Sequence, residues 1–157
     1  MFQSLIGFLG RALLSIIFIS SAVNKIFDWQ NTLQYFTQTM TDWLALSVGS
    51  DLLQHSIEWG LVNATLLLIV ATIFELAGGL MVFLGLWTRL GALLLFLFMI
   101  PVTLVFHHFW QLQGPDRMLQ MMMFMKNVSI IGGLLIVLAY GRGCKSAHQH
   151  DHAAKKD

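Results

Sequence analysis

Apolar residues run almost unbroken through four stretches of the chain, at about residues 5–24, 61–86, 90–109 and 121–140. Each is near the ~20 residues that cross ~30 Å of hydrocarbon, so the pattern predicts four membrane-spanning helices. Between the first two the pattern changes. Leu33, Phe36, Met40, Trp43 and Leu44 recur at helical spacing among polar neighbours, which predicts an amphipathic helix lying over the outer face. Asp28 is suited to cap its first turn, and "SVGSD" (47–51) breaks it before a second short helix that merges into the second span. The loop helix either packs on the bundle or forms a lid over a pocket. The connection "GLWTRLG" (85–91) is too short for anything but an antiparallel hairpin, so spans two and three are neighbours. The expected fold is an all-α membrane protein: an antiparallel four-transmembrane-helix bundle over residues 1–143, followed by a polar tail, 144–157.

Composition agrees with the pattern. Hydrophobic residues make up 57% of the chain and charged residues 11%, with a mean hydropathy of +0.72. A formal net charge of +1 argues against nucleic acid and strongly acidic partners. The start, "MFQSLIGFLG", lacks the basic segment and cleavage site of a signal peptide, so the first span is expected to be retained. Trp29, Trp59 and Trp110 fall at one set of span ends and Trp87 at the other, as amphipathic rings prefer. Arg11, Arg89, Arg142, Lys145, Lys155 and Lys156 fall on one side, against Lys25, Arg117 and Lys126 on the other, which predicts both termini in the cytoplasm. Cys144 is the single cysteine, so dithiol redox catalysis is excluded.

Polar residues inside apolar spans are the chemical signal, because an intramembrane charge is costly unless it is paired or functional. Arg11 lies roughly 9 Å and Glu75 roughly 16 Å from the inner ends of their spans, a difference an arginine can reach. An Arg11–Glu75 ion pair is therefore expected, either purely structural or lining a pocket. The outer ends carry a second set: Asn24 and Lys25, His107 and His108, Lys126 and Asn127. Two readings of Lys126 are open. It snorkels to the interface, or it points inward and joins Asn127, Asn24 and a histidine in a cationic cavity floored by Glu75. Such a cavity suits an oxygen-rich or anionic head group, a quinone carbonyl included. Gly7, Gly10, Gly78, Gly79, Gly85, Gly132 and Gly133 are expected at helix contacts, and Pro101 to kink span three. The methionine stripe Met118, Met121 or Met122, and Met125 is read as flexible packing, and the tail histidines His148, His150 and His152 as at most a loose metal site.

The stretches "GRALLSIIFISSAVNKIFD" (10–28), "ELAGGLMVFLGLWTRLGALLL" (75–95) and "FMKNVSIIGGLLIVLAYGRG" (124–143) resemble the DoxX family of small four-helix membrane proteins. "SSAVNK" departs from the glycine that often precedes the lysine there. The resemblance implies an antiparallel four-helix bundle in the bacterial inner membrane, with matching polar positions at Arg11, Lys25, Glu75, Arg89, Lys126 and Asn127. Family members are similar to the small subunit of thiosulfate:quinone oxidoreductase, and others are linked to membrane-associated oxidative-stress complexes. The expected function is a membrane subunit that binds quinone or a similar small molecule in support of an oxidoreductase. The alternatives are a small-solute or lipid binding or transport protein and an assembly factor without catalysis. The lipid bilayer, a membrane-associated oxidoreductase and a second copy of the chain are the partners these readings admit. No residue set here identifies a reaction of the chain's own.

Overall fold

A computed structural model describes residues 2–47 and 49–141, and the regular elements among them are all helical. The elements are α1 (Phe2–Phe27), α2 (Trp29–Leu46), α3 (Asp51–Val62), α4 (Ala64–Leu84), α5 (Thr88–Phe106), a single 3-10 turn (Phe109–Gln111) and α6 (Gly114–Tyr140). Helices α1, α4, α5 and α6 are long and apolar enough to cross a membrane, with α5 and the 3-10 turn forming one apolar segment. The histidine tail, Cys144 and the four basic residues from Arg142 onward lie outside the described residues.

The four long helices pack in chain order, α1 on α4, α4 on α5 and α5 on α6. In lipid, apolar surface alone does not hold helices together, so close backbone approach must do so. Glycine supplies it at two crossings. A Cβ on Gly78 would stand 2.8 Å from Leu95 Cγ and 3.0 Å from the carbonyl oxygen of Gly91. On Gly91 it would meet Met81 Cβ at 2.7 Å, and on Gly79 it would meet Ile19 Cγ1 at 2.9 Å. Around these contacts Phe18, Val82, Ala92, Leu95, Phe98, Met99 and Leu134 form the buried core. The α1–α6 seam is thinner, and a Cβ on Gly133 would stand 3.3 Å from Leu14 Cδ1. Gly10 and Gly132 meet nothing within 4 Å, so the packing role expected of the glycines is absent at Gly10 and Gly132.

The tight α4–α5 turn uses left-handed backbone at Gly85 (φ 70°) and Trp87 (φ 48°), the second unusual for a residue with a Cβ. Pro101 sits within α5, and helical structure continues through it to Phe106. Arg89 Nη2 donates to the carbonyl of Ala139 at 3.1 Å, so the start of α5 holds the end of α6, where free carbonyls favour a cation.

The first connection folds into α2 and α3, and α2 covers one end of the bundle, here termed the capped end. Leu33, Phe36, Met40, Trp43 and Leu44 are all half-buried, as their spacing predicts. Trp43 Nε1 donates to the carbonyl of Val105 at 2.9 Å, and Tyr35 stacks on Phe106 with centroids 5.6 Å apart. Three local expectations need correction. Asp28 occupies the cap position of α2, but its carboxylate accepts from Asn31 Nδ2 at 2.7 Å and caps no backbone N–H. The second short helix does not merge into span two. Asn63 interrupts it, and its side-chain amide bonds back to the Trp59 carbonyl at 2.8 Å. Helix α6 begins at Gly114, well before residue 121, because Pro115 in its first turn needs no N–H partner.

Candidate functional site

Ser21 and Lys25 stand one helical turn apart and so share a face of α1, which packs against Glu75 of α4. Lys25 Nζ lies 2.5 Å from Glu75 Oε2 and donates also to Ser21 Oγ at 2.7 Å. The Ser21 hydroxyl in turn donates to Glu75 Oε1 at 3.0 Å. Both carboxylate oxygens are thereby engaged. Glu75 is buried and the Lys25 side chain is 18% exposed, which suits a charge pair that touches a cavity on one side. The Lys25 ammonium also lies 5.8 Å from the centroid of the Phe98 ring, within cation–π range.

The pair lines a cavity of about 270 Å³. Leu67, Leu68 and Ala71 of α4, Phe98, Val102 and Phe106 of α5, Thr32, Tyr35 and Phe36 of α2, and His107 complete its lining. Its lining is apolar and aromatic apart from a few convergent polar groups, the ordinary makeup of a small-molecule site. His107 Nδ1 lies 2.8 Å from Gln120 Oε1.

A second cavity of about 270 Å³ adjoins the first at the capped end. Tyr35 and Phe106 belong to both, so their stacked rings divide the two spaces. Asp42, Asp116, His108 and Gln120 give the second cavity its more polar lining.

Of the expected site residues, Lys25, Glu75 and His107 come together. The expected Arg11–Glu75 pair is replaced by Lys25–Glu75. The depth comparison aligned the inner ends of the two spans, but Gly79 packs against Phe18 and Ile19, which sets Glu75 level with Ser21 to Lys25. Arg11 lies about ten residues, ~15 Å, further down α1. Its guanidinium also turns away from Glu75, with Nη1 3.8 Å from where a Gly7 Cβ would be.

Lys126 is exposed, with Nζ 3.5 Å from Met123 Sδ, and lies outside both cavity linings. Its side chain lies on the outside of the bundle, so the inward reading does not describe it. Asn127, next along α6, is buried instead and donates to Thr103 Oγ1 at 3.2 Å, joining α6 to α5. Asn24 is exposed and borders neither cavity. His108 turns to the carbonyl of Val105 at 2.9 Å, packs edge-on against Trp43 and faces the second cavity. Sequence reasoning missed Ser21 and the rings from α2 and α5. The spacing of Ser21 and Lys25 was a usable signal, whereas nothing local marks Tyr35 or Phe98 as cavity walls.

Comparison with known proteins agrees with this architecture. A DoxX family profile matches residues 6–108, which include most of α1, all of α2 to α5, and Lys25, Glu75 and His107. The chain is also similar to "Inner membrane protein YphA" of Escherichia coli (strain K12), with 30% identity over 93 residues, 59% of this chain and 66% of that relative. The match thus spans just under two thirds of the relative's length. No solved structure matches the chain. The resemblance seen in residues 124–143 lies beyond the matched segment, but the segment itself covers most of the chain and all the helices that build the Lys25–Glu75 cavity. This multi-pass inner-membrane protein belongs to the DoxX family.

Proposed function

We propose that the protein binds the ring of a quinone or a similar small carbonyl compound in the Lys25–Glu75 cavity, as the membrane subunit of an oxidoreductase or oxidative-stress complex. The observation that carries this reading is an ammonium–carboxylate pair, its carboxylate buried and its ammonium half-buried, in the lining of an aromatic-walled cavity within the bundle. The Lys25 ammonium offers a charge-assisted donor to a ligand oxygen. Phe98, Phe106, Tyr35 and Phe36 offer faces and edges to a planar ring. At about 270 Å³ the space suits one ring-sized group, near the low end of the ~300–1,000 Å³ usual for ligand pockets. Electrons would come from the partner, since no cysteine pair is present to handle them. In this reading both termini are cytoplasmic and the capped end faces the outer side.

Two measurements test the proposal. Protein purified in mild detergent from native membranes should carry quinone and an oxidoreductase partner. Lys25→Met and Glu75→Gln variants should lose the quinone. Purification that yields neither quinone nor partner would sink the reading.

A second reading rests on a specific observation, the mutual satisfaction of Ser21, Lys25 and Glu75. A circuit that closes without a ligand can serve as a lock between α1 and α4. In that case the same substitutions lower stability and leave every bound small molecule in place.

A further inference from the structure

Two exposed helix faces at the capped end are apolar and carry opposite charge. Asn127 is bonded to Thr103 and so lies level with it; α5 ends three residues beyond Thr103, whereas α6 runs thirteen beyond Asn127. About ten residues of α6, ~15 Å, therefore project past the end of α5. Met118 and Met122 lie in this projection and Met125 at its base, spaced to share one stripe. All three are more than half exposed, and the exposed cations Arg117 and Lys126 flank them. Asp116 lines the second cavity instead. Helix α3 supplies the other face. Gly78 and Gly91 touch, and Ala64 and Phe106 stand fourteen and fifteen residues from them, so α4 and α5 end level. Only Asn63 separates α3 from α4, which puts α3 at the height to which α6 projects. Leu52, Trp59 and Val62 share one side of α3 and are more than half exposed, while Gly60 on the opposite side is buried. Asp51 and Glu58 are exposed along the edge of that apolar side.

From these two faces we infer that the chain assembles with further copies of itself, α3 of one copy seated on the projecting stretch of α6 of the next. The chemistry is complementary. Trp59 is a large, rigid anchor, the methionine thioethers adapt to its shape, and an acidic edge meets a basic one. Copies inserted in the same direction carry both faces at the same height. Within one chain α3 packs on α2 and α4, and α6 on α5 and α1, so the two faces belong to different parts of the bundle. A joined pair therefore leaves one face of each kind free, and the assembly is a ring or a row rather than a two-fold dimer. Helices α4 and α5, at 21 and 19 residues, already cross ~30 Å of hydrocarbon, so the projecting methionines stand at head-group level, where a protein partner covers them better than acyl chains do. The inference is independent of what the Lys25–Glu75 cavity binds.

The test uses the full chain, labelled at its single cysteine, Cys144, and reconstituted in lipid vesicles at increasing protein-to-lipid ratio. Energy transfer between donor-labelled and acceptor-labelled native copies should exceed that of random collision and saturate. Trp59→Asn and Met122→Asn should each weaken association about tenfold or more, as loss of an interface anchor does. Glu58→Arg and Arg117→Glu should each weaken it about fivefold, and the two together in one chain should restore it. The four side chains are exposed, so every variant should keep the thermal stability of the native protein. Mixing donor-labelled Trp59→Asn with acceptor-labelled Met122→Asn separates the geometries. Each keeps one intact face of opposite kind, so the mixture should form pairs of near-native affinity and nothing larger. Native protein whose energy transfer never exceeds random collision overturns the inference and leaves these faces to lipid. Native association in both Trp59→Asn and Met122→Asn overturns it as well, as does a mixture that stays apart, since each face would then meet its own kind.

Discussion

The two ends of this bundle are built on opposite rules. Around Gly78, Gly79 and Gly91 the helices approach until a single methyl group would clash. Toward the capped end the same helices α1, α4 and α5 meet through an ion pair and aromatic rings that line a cavity. The first region gains its stability from dispersion across close surfaces, the second from satisfied polar groups. Tight packing at one end fixes the register that brings Ser21 and Lys25 level with Glu75. The open end is thus a product of the closed one.

The largest expected effect comes from the open end. Lys25→Met leaves the buried Glu75 carboxylate without its counter-ion and should cost about 3 to 5 kcal/mol in unfolding experiments in detergent. Adding Glu75→Gln to it should restore most of that loss, since a neutral pair avoids the burial of charge. A double variant as unstable as Lys25→Met alone would mean the damage lies in packing. Gly91→Ala attacks the closed end and should cost about 1 to 3 kcal/mol, because its methyl meets Met81 and the Gly78 backbone, neither a flexible side-chain tip. It should also disturb the open end indirectly, so quinone binding should weaken with stability. Asn127→Leu removes the bond to Thr103, whose hydroxyl still donates to the Met99 carbonyl at 2.6 Å, and should cost only about 1 kcal/mol. Lys126→Gln, on the exposed side of α6, should change stability by less than about 0.5 kcal/mol and leave binding untouched. Loss of ligand in that variant would bring Lys126 back into the site.

Lys126 and Asn127 show how far such a site is legible in sequence. Neighbours on a helix point about 100° apart, so the two do not share one direction. Side-chain chemistry decides which. Asparagine is short and finds Thr103, whereas lysine has a stem long enough to carry its charge away from the bundle. That choice was not readable from α6, which is apolar on every side and gives no direction. The four spans and the loop helix were legible because length and periodicity are local properties. The partner of Glu75 was not, because it depends on the register of α1 against α4, and that register is set by Gly79 under Ile19 rather than by where the apolar stretches end. Tyr35 and Phe106 stayed hidden for a similar reason. Their stacking joins the loop helix to the third span, and neither segment alone announces it.

The short turn at Gly85 and Trp87 bears on the order in which the chain assembles during synthesis. It lets Gly78 and Gly91 meet as soon as α4 and α5 have both emerged, since little loop must be closed. The Lys25–Glu75 contact spans 50 residues and must wait. Until Glu75 arrives, Lys25 has to be carried by α1 without its counter-ion, and its place in the last turn of that helix lets the ammonium rest among head groups meanwhile. Lys25 is thus close enough to the end of α1 to survive insertion alone, and long enough to be drawn inward once its partner is in place.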